Sequence, residues 1–184
     1  VLTKRGGIMQ SRLNSARFEA AAYAHLDTLE RMALSAKRIT PWRQAMIEDI
    51  QAARDEWTWP LSNVWLGVSV GLQDSSRRLD QLAATPAATR IVSCEPLIGN
   101  LNVTPWISGP GEPLIHQVIG GGESGARHRP VDIGHARALR DQCLDARVPF
   151  WWKQNGGRTH KSGGDLLDGH RWKQWPVPRP GALV

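Results

Sequence analysis

Apolar and polar positions along the chain form two kinds of segment that follow each other in turn. Apolar runs of strand length lie at 1–5, 63–70, 89–97, 114–120 and 148–154, and segments with helical spacing lie between them. Runs this rich in Val and Ile are typical of strands buried on both faces. Strands separated by helices indicate parallel strands joined by right-handed crossovers. The pattern therefore predicts an α/β fold with about five parallel strands.

Local signals mark where several of the intervening helices begin. A polar, alanine-rich stretch predicts a helix over 11–38. Thr40 followed by Pro41 is a favourable N-cap and first-turn pair for a second helix. Asp74 and Asp132 are each placed to cap a later helix, and the apolar positions after Asp132 recur at helical spacing. These helices supply the crossovers between the predicted strands.

The chain changes character after residue 154. From there it is polar, glycine-rich and punctuated by tryptophan, with one short element expected around 166–175. We therefore predict an α/β body over 1–154 and an irregular, Trp-rich carboxyl-terminal extension over 155–184 that packs on it.

Composition and charge narrow the class of protein. With 184 residues, 41% hydrophobic and 22% charged, the chain has the composition of a folded soluble domain. Its net charge of +6 favours nucleic acid or another anionic ligand as a partner, although a basic solvated surface accounts for the charge equally well. No apolar run is long enough to span a membrane and no signal peptide is evident, so we expect a cytoplasmic protein without a membrane partner. The sequence gives no indication of oligomeric state.

Cysteine and histidine positions argue against a metal site. Cys94 lies in a strand-like run and Cys143 in a helical one, and neither has a second Cys or His at metal-ligand spacing. The six histidines form no closely spaced pair. We expect both cysteines to be core residues and predict no metal site in this chain.

Polar side chains follow the predicted strands where each strand ends. In parallel α/β folds these carboxyl ends line one face, and ligands bind there. Five strands that all end in charged or hydrogen-bonding residues favour a composite pocket. The candidate residues are Lys4, Arg5, Ser69, Gln73, Ser93, Glu95, Glu123, Ser124, Lys153 and Gln154.

The fourth predicted strand ends in three glycines followed at once by an acid and a hydroxyl. The run Gly120–Gly122 allows a ligand to approach bare backbone, and Glu123 and Ser124 can add directional contacts. The glycines also match the dinucleotide-binding pattern, but no helix opens directly after them, so we do not expect a dinucleotide fold. The glycines could instead form a nest of backbone N–H groups that binds a phosphate or a carboxylate.

Six blocks of the sequence occur in an order that points to a known family. They are NVWLGVSV, TPAATRIVSCEPLIGNL, VIGGGESGARHRP, ALRDQC, VPFWWKQNGG and LLDGHRWKQWP, and VLTKR precedes them. The chain resembles the bacteriophage gp-thirty-seven/gp-sixty-eight family, whose function is unknown. The resemblance implies a (β/α) barrel of the radical S-adenosylmethionine type, distantly similar to spore photoproduct lyase. On that basis 1–154 would form a partial barrel.

The resemblance also implies cofactors that this chain does not hold by itself. Family members carry a three-cysteine motif for a [4Fe-4S] cluster before the strand that is similar to VLTKR, and this sequence has nothing there. Cys94 and Cys143 lie alone on different elements and cannot replace the motif. We therefore expect the carboxyl-terminal part of a protein derived from an enzyme that cleaves S-adenosylmethionine reductively.

The resemblance implies that some residues at the strand ends bind the cofactor and others bind the substrate. No residue is assigned as a general base or other catalytic group. Cofactor contacts are expected from Ser93, Glu95, Gly120, Gly121, Gly122, Glu123 and Ser124. Substrate contacts are expected from Lys4, Arg5, Ser69, Gln73, Arg129, Lys153 and Gln154.

Two other interpretations come from different classes of protein. A non-catalytic nucleic-acid-binding module would use rings that stack bases beside cations that hold phosphates. Those residues are Trp151, Trp152, Lys153, Arg158, Lys161, Arg171, Trp172, Lys173 and Trp175. Packing of the rings on the sheet is favoured instead, because the adjacent Trp151 and Trp152 of a strand face opposite sides. The third interpretation is an inactive remnant whose five-stranded sheet has two open edges.

Overall fold

A computed structural model gives the fold of residues 2–14, 16–35, 40–55, 59–159 and 162–176. Within these residues the chain forms a five-stranded parallel sheet, six α-helices and a two-stranded hairpin. The predicted α/β class and number of strands are confirmed. In the described residues the first and fifth strands do not pair with each other, so the sheet does not close into a barrel.

The strands stand in the sheet in the order in which they occur along the chain, and every neighbouring pair is parallel. Each crossover therefore returns the chain to the adjacent position. The strands in the structure are shorter than the apolar runs that predict them. Ile115, for example, lies before the fourth strand, and its N–H donates to the Trp106 carbonyl. The strands are β1 (Leu2–Thr3), β2 (Trp65–Ser69), β3 (Thr89–Cys94), β4 (Gln117–Gly120) and β5 (Phe150–Trp152).

The helices fill the connections between the strands. They are α1 (Gly6–Leu13), α2 (Ala16–Leu34), α3 (Pro41–Asp55), α4 (Arg77–Ala83), α5 (Thr104–Ile107) and α6 (Ile133–Asp145). As predicted, α3 begins at Pro41, although the Thr40 hydroxyl is buried without a hydrogen-bond partner. None of these helices, in the described part of the chain, combines the length and the apolar character that a membrane crossing requires.

The bounds predicted for the first helix are wrong. The sequence pattern suggests one helix over 11–38, whereas α1 begins at Gly6 and ends before Asn14, where a break separates it from α2. The side-chain amide of Asn14 donates to the Ala84 carbonyl at 3.0 Å, which anchors the break against the end of α4. Residues 36–38 of the predicted helix lie outside the described part.

Of the two predicted aspartate caps, one is confirmed. Asp132 is the N-cap of α6, and its Oδ1 accepts the N–H of Gly134 at 2.7 Å. Asp74 lies instead inside a 3₁₀ turn, Gln73–Ser75, and the N-cap of α4 is Ser76, whose side chain makes no capping hydrogen bond. The turn lengthens the connection after β2, so α4 begins later than the pattern suggests.

One face of the sheet, which we call the helix side, packs against the helices and forms the core. Side chains alternate along a strand, so Val68, Val92, Val118 and Phe150 share this face. All four are 0% exposed. The residues of α4 and α6 that are buried against them are Leu79, Leu82, Ala136, Leu139 and Cys143.

The opposite face of the sheet, which we call the second face, mixes polar residues with aliphatic and aromatic ones. The strand register places Ser69 beside Ser93 there. Trp175 packs on this face, with its ring centroid 4.7 Å from that of Trp151 and 5.9 Å from that of Trp65. The second face therefore carries an aromatic cluster beside the two serines.

The carboxyl-terminal extension covers one edge of the sheet. Residues 172–174 run antiparallel to β5, and the Trp152 N–H donates to the Trp172 carbonyl at 2.9 Å. The expectation of two open edges is therefore wrong for β5, whereas no other strand of the described chain pairs with the outer edge of β1. A hairpin of β6 (Leu166–Leu167) and β7 (His170–Arg171) places Leu167 in the same core, 1% exposed. The division after residue 154 stays a prediction.

Candidate functional site

A small cavity of about 170 Å³ lies at the carboxyl ends of β1, β2 and β3. Its walls include Lys4, Ser69 and Glu95, which the sequence predicts from three different strands, and Arg78, which it does not. The remaining walls come from Gly71, Leu72, Ser75, Pro96 and Ile98. We call this cavity the strand-end pocket.

Glu95 is the acidic wall of the strand-end pocket. Its Oε2 accepts a hydrogen bond from the Lys153 ammonium at 2.7 Å, and the two side chains are 17% and 55% exposed. A Cβ on Gly121 would lie 3.3 Å from the Cγ of Glu95, so a glycine there leaves room for the Glu95 side chain. The Glu95 Oε1 is buried and has no hydrogen-bond partner, so one acceptor beside the pocket is left unused.

Two cationic residues, Arg78 and Lys4, line the pocket together with this acid. Arg78, at the start of α4, is held in place because its Nη1 donates to the Ser69 carbonyl at 2.7 Å. Lys4 follows β1 directly and is exposed. The pocket therefore combines two cationic side chains with one carboxylate.

Arg78 is the pocket residue that sequence reasoning missed. The sequence pattern points to residues at strand ends, whereas Arg78 belongs to the first turn of the helix after β2. In α/β folds the loop and helix start that follow a strand lie at the same edge as the strand end. The paired basic residues Arg77 and Arg78 opening a helix were the signal that could have identified it.

Glu123 and Arg129 form a separate ion pair and do not line the strand-end pocket. The guanidinium donates to both carboxylate oxygens, at 2.7 and 2.9 Å, and the Arg129 backbone N–H donates to one of them at 2.9 Å. These hydrogen bonds lower the pKa of Glu123 to about 2, and those from the Arg129 side chain contribute most. The pair fixes the loop after β4.

The three predicted glycines pack against protein. A Cβ on Gly120 would lie 3.0 Å from the Trp152 ring, and one on Gly122 would overlap the Asn155 carbonyl oxygen. The Gly122 N–H donates to the Gln154 carbonyl at 2.8 Å. These glycines thus allow two loops of the same chain to approach each other closely. A cofactor contact by these glycines stays a prediction.

The other predicted contact residues lie in several places. The Gln154 amide donates to the Ser124 hydroxyl at 2.6 Å, beside the glycine loop. The Gln73 Oε1 accepts the backbone N–H of Asn102 at 2.8 Å. Arg5 lines a different, apolar groove. Ser93, on the second face, is buried and is not a wall of the pocket.

Comparison with protein families places the chain in one of them. A model described as a protein of unknown function (DUF5131) matches residues 1–176. The chain belongs to the DUF5131 family. No curated protein and no solved structure matches it. The narrower kinship with the bacteriophage gp-thirty-seven/gp-sixty-eight proteins stays a prediction.

The two thiols of this DUF5131 protein do not suit an iron–sulfur cluster. Cys94 and Cys143 are both buried on the helix side of the sheet. Burial raises the pKa of Cys143 to about 12 and that of Cys94 well above its usual range, so both stay protonated. Among the described residues no group of three His, Cys, Asp or Glu side chains could hold a metal ion. A cluster needs several converging thiolates, which this part of the chain does not supply.

The rings near the carboxyl end are occupied by packing within the protein. Trp152 is fully buried, and the Trp172 ring lies 6.2 Å from that of Phe150. The Lys173 ammonium lies 4.8 Å from the centre of the Trp151 ring. The rings that would stack bases and the cation that would hold a phosphate therefore make contacts within the protein. The geometry gives no support to a nucleic-acid-binding module. Lys161 lies outside the described residues.

Proposed function

We propose that this DUF5131 protein is a ligand-binding part of a radical S-adenosylmethionine-type (β/α) barrel, related to the bacteriophage gp-thirty-seven/gp-sixty-eight proteins. In this proposal the strand-end pocket holds the amino-acid end of S-adenosylmethionine. Parallel strands in sequential order, joined by helices, support it, because (β/α) barrels are built in this way. Such barrels bind their ligands at the carboxyl ends of the strands, where the pocket lies.

The charges of the strand-end pocket are the observation that carries the proposal. An α-amino acid presents a carboxylate and an ammonium close together, and the pocket walls offer both complements. Lys4 and Arg78 suit the carboxylate, and a guanidinium can bind one through two parallel hydrogen bonds. Glu95 supplies a carboxylate for the ammonium, and Lys153 already pairs with its Oε2.

The residues of this chain bind and orient but supply no radical chemistry of their own. When bound, S-adenosylmethionine would supply an activated sulfonium group. No step through an iron–sulfur cluster is assigned, because Cys94 and Cys143 are buried, protonated and on different elements. The proposed role of Lys4, Arg78 and Glu95 is to fix the amino-acid end of the ligand.

Titration calorimetry of S-adenosylmethionine into the full chain tests the proposal. We expect saturable binding by the wild type and a loss of at least about tenfold in affinity in Arg78→Ala. The matched control is Arg77→Ala, because Arg77 is exposed and does not line the pocket. An Arg78→Gln variant retains a donor for the Ser69 carbonyl, which separates lost binding from lost folding.

Two results would overturn the proposal. One is the absence of binding heat for a wild-type chain whose circular dichroism and thermal transition show that it is folded. The other is an equal loss of affinity in Arg77→Ala and Arg78→Ala, since the pocket would then have no special part in binding.

A further inference from the structure

The helices α2 and α3 pack against each other as an antiparallel hairpin. Arg54, near the end of α3, pairs with Asp27 and Glu30 of α2 at 2.6 and 2.8 Å. At the start of α3, the Arg43 Nη1 donates to the Ala33 carbonyl near the end of α2, at 3.4 Å. The residues where α2 ends and α3 begins, which we call the hairpin tip, are Arg31, Met32, Leu34, Trp42 and Arg43.

The hairpin tip exposes large apolar side chains. Met32 is 65% exposed, Trp42 is 61% exposed and Leu34 is 50% exposed. The Arg43 guanidinium lies 5.2 Å from the centre of the Trp42 ring. Several exposed apolar side chains gathered at one place, beside charged groups, mark an interaction site.

The charge of this region is of one sign. From residue 31 to residue 47 the sequence contains no Asp or Glu, and its basic residues are Arg31, Lys37, Arg38 and Arg43. The polar contacts of Arg31 and Arg43 go to the backbone carbonyls of Asp27 and Ala33, at 3.2 and 3.4 Å. Carbonyl groups carry no net charge, so both guanidiniums still attract an anion. The partner of the hairpin tip should therefore be anionic.

The position of Arg43 favours nucleic acid over an anionic membrane. Insertion of the Trp42 ring into lipid would carry the attached guanidinium out of water, which is costly. A base that stacks on the ring leaves the guanidinium hydrated and close to the phosphates. Stacking on a protein ring needs a base with a free face, and unpaired bases present one.

We propose that the hairpin tip binds single-stranded nucleic acid. Trp42 stacks on one base, and Arg31 and Arg43 hold phosphates next to it. The tryptophans near the carboxyl end differ from Trp42, because their rings pack within the protein. The hairpin tip is separate from the strand-end pocket and from the ligand proposed there.

The test uses fluorescence anisotropy of a fluorescein-labelled thymidine oligonucleotide, about 20 nucleotides long so that it exceeds one binding site. The full wild-type chain is expected to bind it saturably. Affinity should fall at least about fivefold between about 50 and 200 mM salt, because counterions are released from the phosphates. A duplex of the same length should bind more weakly, since its bases are not free to stack on the ring.

Variants separate the ring from the charge. Trp42→Ala should weaken binding of the oligonucleotide at least about fivefold and leave its salt dependence unchanged, whereas Trp42→Phe should retain most of the affinity. Arg43→Gln should weaken binding and also reduce the salt dependence, because a phosphate contact is lost. Circular dichroism of each variant checks that it is folded.

Matched controls lie elsewhere in the chain. Trp175→Ala removes a ring that is 59% exposed on the sheet, and Arg17→Gln removes an exposed cation at the other end of α2. Each should change the affinity less than about twofold.

Four results would overturn the proposal. They are the absence of oligonucleotide binding by the folded wild type, tighter binding of the duplex, unchanged affinity in Trp42→Ala, and an equal loss in Trp175→Ala. Cosedimentation with vesicles of phosphatidylserine and phosphatidylcholine tests the other anionic partner. Binding to these vesicles without binding of the oligonucleotide would assign the hairpin tip to a membrane instead.

Discussion

The helix side and the second face of the sheet are built from alternate residues of the same strands, yet their side chains differ in polarity. On the helix side Val92 and Phe150 are 0% exposed within an apolar core. On the second face Ser69 and Ser93 occupy neighbouring strands and are 8% and 6% exposed. The difference separates two tasks, because large apolar residues fill the helix side, whereas Ser69 of the second face is a wall of the strand-end pocket.

The largest effect on the free energy of unfolding should come from removing a buried ring on the helix side. Phe150→Ala is expected to lower the free energy of unfolding by about 3–5 kcal/mol, because a buried ring is replaced by a cavity. Ser93→Ala on the second face should change it by less than about 1 kcal/mol. Urea denaturation of both variants measures the difference. Equal losses would show that the two faces do not divide the tasks in this way.

The next effect concerns two neighbouring glycines. Gly122→Ala should lower the free energy of unfolding by about 1–3 kcal/mol, because the new Cβ overlaps the Asn155 carbonyl. Gly121→Ala meets only the flexible side chain of Glu95, at 3.3 Å from its Cγ, so a loss below about 1 kcal/mol is expected. Thermal unfolding compares them. The opposite order would contradict the packing of the loops.

A smaller effect depends on pH. Hydrogen bonds from Arg129 lower the pKa of Glu123 from 4.5 to about 2. Because the pKa is lower in the folded state, the stabilisation is complete above pH 4.5 and is lost as the pH falls toward 2. The difference in Tm between wild type and Glu123→Gln should therefore shrink from about pH 6 to about pH 3. A difference that stays constant with pH would rule out this ion pair as its source.

The smallest effect on stability is expected at the mouth of the pocket. Lys153→Met removes the ion pair with Glu95, but the Lys153 side chain is 55% exposed, so solvent screens the interaction. The free energy of unfolding should change by less than about 1 kcal/mol in urea denaturation. A loss as large as that of Phe150→Ala would mean that this end of the second face is part of the folding core.

The sequence predicts much of the fold because its signals are local. Apolar runs reveal the five strands, and Asp132 is a helix cap that acts over two residues. The break between α1 and α2 is not evident from the pattern, and the contact made there, from Asn14 to the carbonyl of Ala84, joins residues far apart along the chain.

The candidate site is predictable to the extent that it follows from strand ends. Lys4, Ser69 and Glu95 meet because parallel strands bring their carboxyl ends to one edge. Arg78 belongs to a helix, and the hydrogen bond from its side chain to the Ser69 carbonyl depends on where α4 begins. The glycine run looks like a free ligand surface until the fold brings residue Asn155 against Gly122.

The most direct test of the strand-end pocket compares two ligands that differ in their amino-acid end. S-adenosylmethionine has this end and methylthioadenosine lacks it. We predict that titration calorimetry will show at least about tenfold tighter binding of S-adenosylmethionine by the wild-type chain, and that Arg78→Ala will remove the difference. Equal affinity of the wild type for the two ligands would contradict the role given to Lys4, Arg78 and Glu95.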